Sequence, residues 1–243
     1  MELFYRMRQR FQPEGREYRE PNLPADIAGL APEIKDLLNR YPTLLPRVTR
    51  FSRPSLEKTL GHLDLLDRLG GNRLELKAGR ILDVGSADWS YAGAIVSWLK
   101  ERTPVRPLDI LGIEVDPHRF DSAFVTAASK ARHQIQTFTS KGIHLDYQGG
   151  CFTQVFGLFD LITWFFPVFS TTQEPAAQLG HANRILDQGG YVLFASSGFG
   201  EWESLREKIV SLDLPWRLER VAEAREHLHA SKSPVYVSLW SKS

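Results

Sequence analysis

The stretch RILDVGSADWSYAGAIVSWLK, Arg80 to Lys100, decides the reading of this 243-residue chain. Ile81, Leu82 and Val84 form a short apolar run of the kind that makes a buried strand, and Gly85 supplies a tight turn after it. Tyr91, Ala94, Ile95, Trp98 and Leu99 then recur at helical spacing, so the segment closes as an amphipathic helix. Between the two, where an α/β protein places a glycine-rich ligand loop, stand Ser86, Ala87, Asp88 and Trp89. The stretch is therefore either a nucleotide site with its later glycines replaced or a strand–helix turn that binds nothing.

Downstream, the same alternation repeats. LDILGIEVD is a second strand, and PHRFDSAFVTAASKAR reads as a helix with Asp116 as its cap and Pro117 at its first position. IHLDYQ is a third strand, and LFDLITWFFPVF a fourth, too apolar for a sheet edge. PAAQLGHANRILDQGG is expected as a helix closed by Gly189-Gly190, YVLFASS as the fifth strand, and EWESLREKIVSL as a helix with Trp202, Leu205, Ile209 and Leu212 inward. WRLERVA and PVYVSLWS finish the chain. The loop between them is too short for a crossover helix, which predicts an antiparallel pair. Repeated β-α-β units predict a mostly parallel sheet with helices on both faces.

Upstream, residues 1–25 are rich in Arg, Glu and Pro and read as an extended arm. Two helices follow. The first carries Ile34, Leu37, Leu38 and Tyr41 on one face. The second, RPSLEKTLGHLDLLDRLGG, has Leu56, Leu60, Leu63 and Leu66 at helical spacing, Ser55 as cap and Gly70-Gly71 as stop. The organisation expected is an N-terminal arm and helical cover over 1–72 and an α/β domain over 73–243. A net charge of +1, from 30 basic and 29 acidic residues, lacks the electrostatic footprint of a nucleic-acid binder, although a local basic patch stays open. The single cysteine, Cys151, allows no internal disulfide and suits a reducing cytoplasm. No apolar run approaches the roughly 20 residues of a membrane span.

The order of these features resembles the class I S-adenosylmethionine-dependent methyltransferases, from Arg80 to the C-terminus. The matching motifs are ILDVGSA, LGIEVDP, FDLITWFFP and ILDQGGYVLFASS. The resemblance implies a doubly wound, mostly parallel seven-stranded sheet with an antiparallel last strand. It also implies S-adenosylmethionine as cofactor, S-adenosylhomocysteine as product, and methyl transfer as the activity. The opening question then has a physical answer. A dinucleotide loop needs its glycines because the backbone must approach a pyrophosphate. S-adenosylmethionine has no phosphate, and one glycine, Gly85, serves a loop that passes a ribose. Glu114 lies 29 positions beyond Gly85, past the roughly 20 of a dinucleotide fingerprint, at a strand end where a carboxylate can accept from both ribose hydroxyls.

By the same resemblance, Asp83 would face the cofactor's ammonium group through water. Gly85, Ser86 and Ala87 would form the loop, Val115 would follow the ribose acid, and Gly150, Cys151 and Phe152 would meet the adenine. Trp164 would flank the adenine, with Phe165 and Phe166 toward the acceptor. The expected partner is a small-molecule acceptor, with nucleic acid not excluded. The arm reads as a lid, as a strap in a homodimer or as a disordered segment. No catalytic residue is assigned, since alignment and water exclusion carry an in-line methyl transfer. No metal is expected: His227 and His229 read as solvated side chains. The family has further glycines at Ala87 and Trp89 and often an acid near Gly150. Those departures favour a rival reading, a non-catalytic binding or interaction protein on the same fold. Trp89 either packs the first helix onto the sheet or fills the space for the methionine tail. An aminopropyl transferase and a nicotinamide oxidoreductase rank behind both readings.

Overall fold

The computed structural model describes residues 32–42, 44, 53–70, 73–116, 120–121, 125–166, 175–224 and 234–243. Two helices, α1 (Pro32–Arg40) and α2 (Arg53–Arg68), precede the sheet. Then come β1 (Arg80–Val84), α3 (Ala92–Arg102), β2 (Leu108–Glu114), a short hairpin of β3 (Phe120–Asp121) and β4 (Val125–Thr126), and α4 (Ala127–Phe138). The chain continues through β5 (Ile143–Gly149), β6 (Phe159–Phe165), α5 (Pro175–Ile185), β7 (Leu186–Ser197), α6 (Phe199–Ser211), β8 (Trp216–Ala224) and β9 (Val235–Lys242).

Seven strands form one sheet in the order β5-β2-β1-β6-β7-β9-β8. The first five pair in parallel, while β9 runs antiparallel to both β7 and β8. This is the mostly parallel sheet that the β-α-β pattern predicts, with the antiparallel last strand that the resemblance implies. The period of two along each strand divides the apolar residues between two faces. Ile81, Ile110, Leu161, Leu193 and Leu239 share one hydrophobic cluster with α1, α2, α3 and α4. Leu82, Ile113, Ile162, Val192 and Trp240 share another with α5 and α6. The central strand β6 is buried at every position, which explains its unbroken apolar run. Asp160 on β6 is 3% exposed and accepts the backbone N–H groups of Lys77, Ala78 and Arg80, tying the segment before β1 to the neighbouring strand.

Three local expectations are corrected. The helix expected from Pro117 begins at Ala127, and its cap is Thr126, whose hydroxyl accepts the Ser129 N–H at 3.2 Å. Asp116 is therefore not a helix cap. The physical reason lies in composition: β-branched Val125 and Thr126 take the extended hairpin, and the Ala-rich run from 127 takes the helix. The helix before β7 ends at Ile185, not at Gly189-Gly190. Leu186 already pairs with Phe159, and the register shift between Phe159 and Leu161 absorbs the glycine pair into the strand. Helix α2 begins at Arg53, two residues before the expected cap Ser55.

The N-terminal helices share the face of α3. Helix α2 packs along α3 and also touches β8 and β9. Leu37, Leu38, Leu56, Leu60, Leu63 and Leu66 belong to the same apolar cluster as the sheet residues of that face. The arm over 1–25, residues Pro117, His227 and His229 lie outside the described residues.

Candidate functional site

Strand order reverses between β1 and β6, so the loops after their carboxyl ends diverge and leave a crevice there. The β1–α3 loop borders it. Gly85 has φ +69°, and a Cβ built on it would meet nothing within 4 Å, so its backbone is open on that side. The N–H groups of Gly85 and Ser86 both donate to the Ile113 carbonyl, at 2.9 and 3.1 Å, which sets the loop against the end of β2. Ala87 and Trp89 hold φ values of +50° and +51°, left-handed conformations that cost a non-glycine residue about 1–2 kcal/mol each. The loop thus keeps a glycine-like backbone path at two positions that carry side chains.

Glu114 closes the loop from the other side. Its Oε2 accepts the Ala87 N–H at 2.8 Å and its Oε1 accepts the Asp116 N–H at 3.2 Å. Tyr147 of β5 donates its hydroxyl to the Ala87 carbonyl at 2.6 Å, and the Gly150 N–H donates to the Glu114 carbonyl at 2.9 Å. Val115, next to Glu114, is 75% exposed. Gly85, Ala87, Glu114, Val115 and Gly150 therefore share one edge of the molecule.

Asp83 takes a different position. It is 0% exposed, and all its visible partners are side chains of the protein. Trp89 Nε1–H and the Tyr91 hydroxyl both donate to Oδ2 at 2.9 Å, and the Thr163 hydroxyl donates to Oδ1 at 2.6 Å. Burial pushes this carboxyl up to about 7, against the pull of the three donors, and the charge of Glu114 adds to the rise. The same burial, with the Asp83 charge, holds the Tyr91 phenol well above its ordinary range. A cofactor ammonium would have to displace Trp89 or Tyr91 to reach Asp83.

Both displacing motions are obstructed. The Trp89 indole is 0% exposed and packs over Gly112 of β2, where a Cβ would lie 2.9 Å from its Cε2. Tyr91 is stacked on His62 with centroids 4.0 Å apart and planes within 4°, and Phe165 meets both rings edge-on at 5.3 and 5.0 Å. From α2, Lys58 pairs with Asp88 at 3.1 Å and the Thr59 hydroxyl donates to the Ser90 carbonyl at 2.9 Å; Lys130 of α4 faces Asp88 at 3.6 Å. Burial pushes the Asp88 carboxyl up, but Lys58 and Ser90 outweigh it and hold the group below its ordinary range. Ser86 and Ser90 bury their hydroxyls in the same loop with no hydrogen-bond partner among the described residues.

The aromatic residues expected at the crevice divide. Phe152 and Trp164 are 7% and 6% exposed and meet edge-on at 5.0 Å, backed by His181 and Phe194 on the face of α5 and α6. Phe165 and Phe166 turn toward α2, against His62. Cys151 is half-buried beside the Thr153 hydroxyl at 3.1 Å. Lys58, Thr59, His62, Tyr147 and Thr163 carry no spacing signal that marks them as neighbours of the loop; chain reversals over long separations bring them there. Among the described residues, no group of His, Cys, Asp and Glu could hold a metal ion, and no helix is long and apolar enough to cross a membrane. A cleft of about 700 Å³ at the opposite edge of the sheet, lined by Arg73, Lys77, Arg217, Arg220 and Lys242 among others, is separate from this crevice.

Solved structures with the same arrangement include an N-methyltransferase, NodS, from Bradyrhizobium japonicum WM9 in complex with S-adenosyl-L-homocysteine. It is 14% identical at a TM-score of 0.52, over 84% of this chain and 98% of its own. This is the fold of the S-adenosylmethionine-dependent methyltransferases. A methyltransferase from Aquifex aeolicus matches at 17% identity and TM-score 0.52, over 79% of this chain and all of its own. Magnesium protoporphyrin IX methyltransferase from Synechocystis PCC 6803, with bound S-adenosylmethionine, matches at 12% and 0.51, over 88% and 99%. In sequence, no protein-family model and no curated protein matches the chain.

Proposed function

We infer that the chain binds S-adenosylmethionine at the carboxyl edge of its sheet and transfers the methyl group to a small-molecule acceptor. The observation that carries this reading is Glu114. It is a carboxylate at the end of β2, half-buried, held against the Gly85–Ala87 turn and next to the point where strand order reverses. A carboxylate in that place accepts two hydroxyls of a ribose while the Gly85 backbone passes close to the sugar. Exposed Val115 and half-buried Cys151 offer apolar surface for a base beside it. The bound group supplies an electrophilic methyl on a sulfonium. The residues of the chain align that centre and keep water out, with the His62–Tyr91–Phe165 cluster as an apolar wall behind the loop. A chain with a single cysteine suits a reducing compartment such as the cytoplasm.

Titration with S-adenosylhomocysteine tests the reading. A ligand that binds only the native state stabilises it by about 2.7 kcal/mol at 100 times its dissociation constant, so the thermal midpoint rises by several degrees. Absence of both a midpoint shift and calorimetric heat at millimolar ligand would leave a protein that uses this fold for something other than cofactor binding. The closed state of Asp83 favours that second reading.

A further inference from the structure

We propose that the crevice recognises its ligand through the nucleoside end alone, and that Trp89 and Tyr91 determine this specificity by withholding Asp83 from an amino-acid tail. The inference rests on the cofactor reading of the crevice and narrows it to a ligand class, 5′-thio nucleosides with or without the tail.

An α-ammonium group that leaves water needs hydrogen-bond acceptors, and a carboxylate is the strongest of them. Among the described residues, four carboxylates stand in or beside the β1–α3 loop. Glu114 holds the loop by two backbone N–H groups at the sugar end. Asp88 is paired with Lys58 from α2 and faced by Lys130 from α4, so a second cation there meets repulsion. Asp116 is exposed, and its own N–H donates to Glu114. Asp83 is the remaining acid among the described residues, and its oxygens already accept from Trp89, Tyr91 and Thr163.

The closure is built from inside the fold. The indole cannot retreat toward β2, because it already rests on Gly112, the one side-chain-free position below it. The Tyr91 ring cannot retreat toward α2, because His62 is stacked on it and Phe165 stands at its edge. The left-handed backbone of Trp89 goes with a fully buried indole, at a position where a glycine would leave the space empty. The sugar end differs: Gly85 and Ala87 are exposed, and Val115 presents 75% of its surface.

The test compares two ligands on the full chain by calorimetry. S-adenosylhomocysteine carries the amino-acid tail, and 5′-methylthioadenosine shares the nucleoside and the sulfur but lacks it. The expected result is two dissociation constants within about threefold of each other, since the tail gains no ion pair at Asp83. In Trp89→Gly the wedge is removed and the left-handed backbone is relieved, and S-adenosylhomocysteine becomes the tighter ligand by about tenfold or more. A preference of that size already in the unaltered chain overturns the inference and leaves cofactor binding standing. Binding of neither ligand overturns the inference together with the reading beneath it.

Discussion

Replacing Asp83 by Asn separates the charge of this side chain from its hydrogen bonds. The two side chains have the same shape. An amide oxygen in the Oδ2 position still accepts from Trp89 Nε1–H and the Tyr91 hydroxyl, while the amide nitrogen donates to the Thr163 hydroxyl, which can rotate to accept. The charge is the remaining difference. Burial pushes the Asp83 carboxyl from its ordinary 3.8 up to about 7. Between those values the native state holds a proton that the unfolded chain has released. The group's effect on folding is therefore most favourable at or below pH 3.8 and is lost as pH rises through about 7, beyond which it stays flat. An interval of about three pH units corresponds to a ceiling of about 4 kcal/mol, at about 1.4 kcal/mol per unit. Titrating groups that do not interact with Asp83 are common to both proteins and cancel in the difference. Urea unfolding of the two proteins from pH 4.5 to 8.5 measures it. The Asn variant should gain steadily on the unaltered chain between pH 5 and 7.5, reach an advantage of a few kcal/mol and then level off. A difference that stays constant across the whole range would refute the reasoning, because Asp83 would then titrate alike in the folded and unfolded states.

Three further outcomes are expected. Gly112→Ala should cost about 1–3 kcal/mol in denaturant unfolding, because the new methyl meets a buried Trp89 ring that has no room to move. Ala87→Gly should stabilise by about 1 kcal/mol on the same measurement, since its φ of +50° suits glycine and opposes alanine; a loss of stability would show that the methyl group packs usefully. Glu114→Ala should weaken S-adenosylhomocysteine binding by about 1.5–3 kcal/mol in calorimetry, with Glu114→Gln falling between it and the unaltered chain. Equal affinities in all three proteins would move the ribose away from this residue.

The sequence by itself determined the architecture, because architecture here follows from short-range periodicity. Short unbroken apolar runs mark β1 and β6, apolar residues three and four apart mark α3, and the short link between the last strands forces them antiparallel. The pairing of Gly85 with Glu114 was legible too, since both sit at strand ends in a fold whose strand ends converge. Helix ends were less legible. Thr126 displaced Asp116 as cap and Leu186 joined a strand, because hairpin and sheet pairings outside the local window decide where a helix stops. Only the tertiary structure decided the state of Asp83. Its strand position was clear, but Thr163 lies 80 residues away, and although helical spacing puts Tyr91 on the apolar face, nothing local turns Trp89 inward rather than toward solvent. The turn inward depends on the missing side chain at Gly112, on His62 from a helix that precedes the sheet, and on Phe165 from a strand that follows it. A buried hydrogen-bond network is set by which distant elements supply its donors, and no spacing along the chain encodes that meeting.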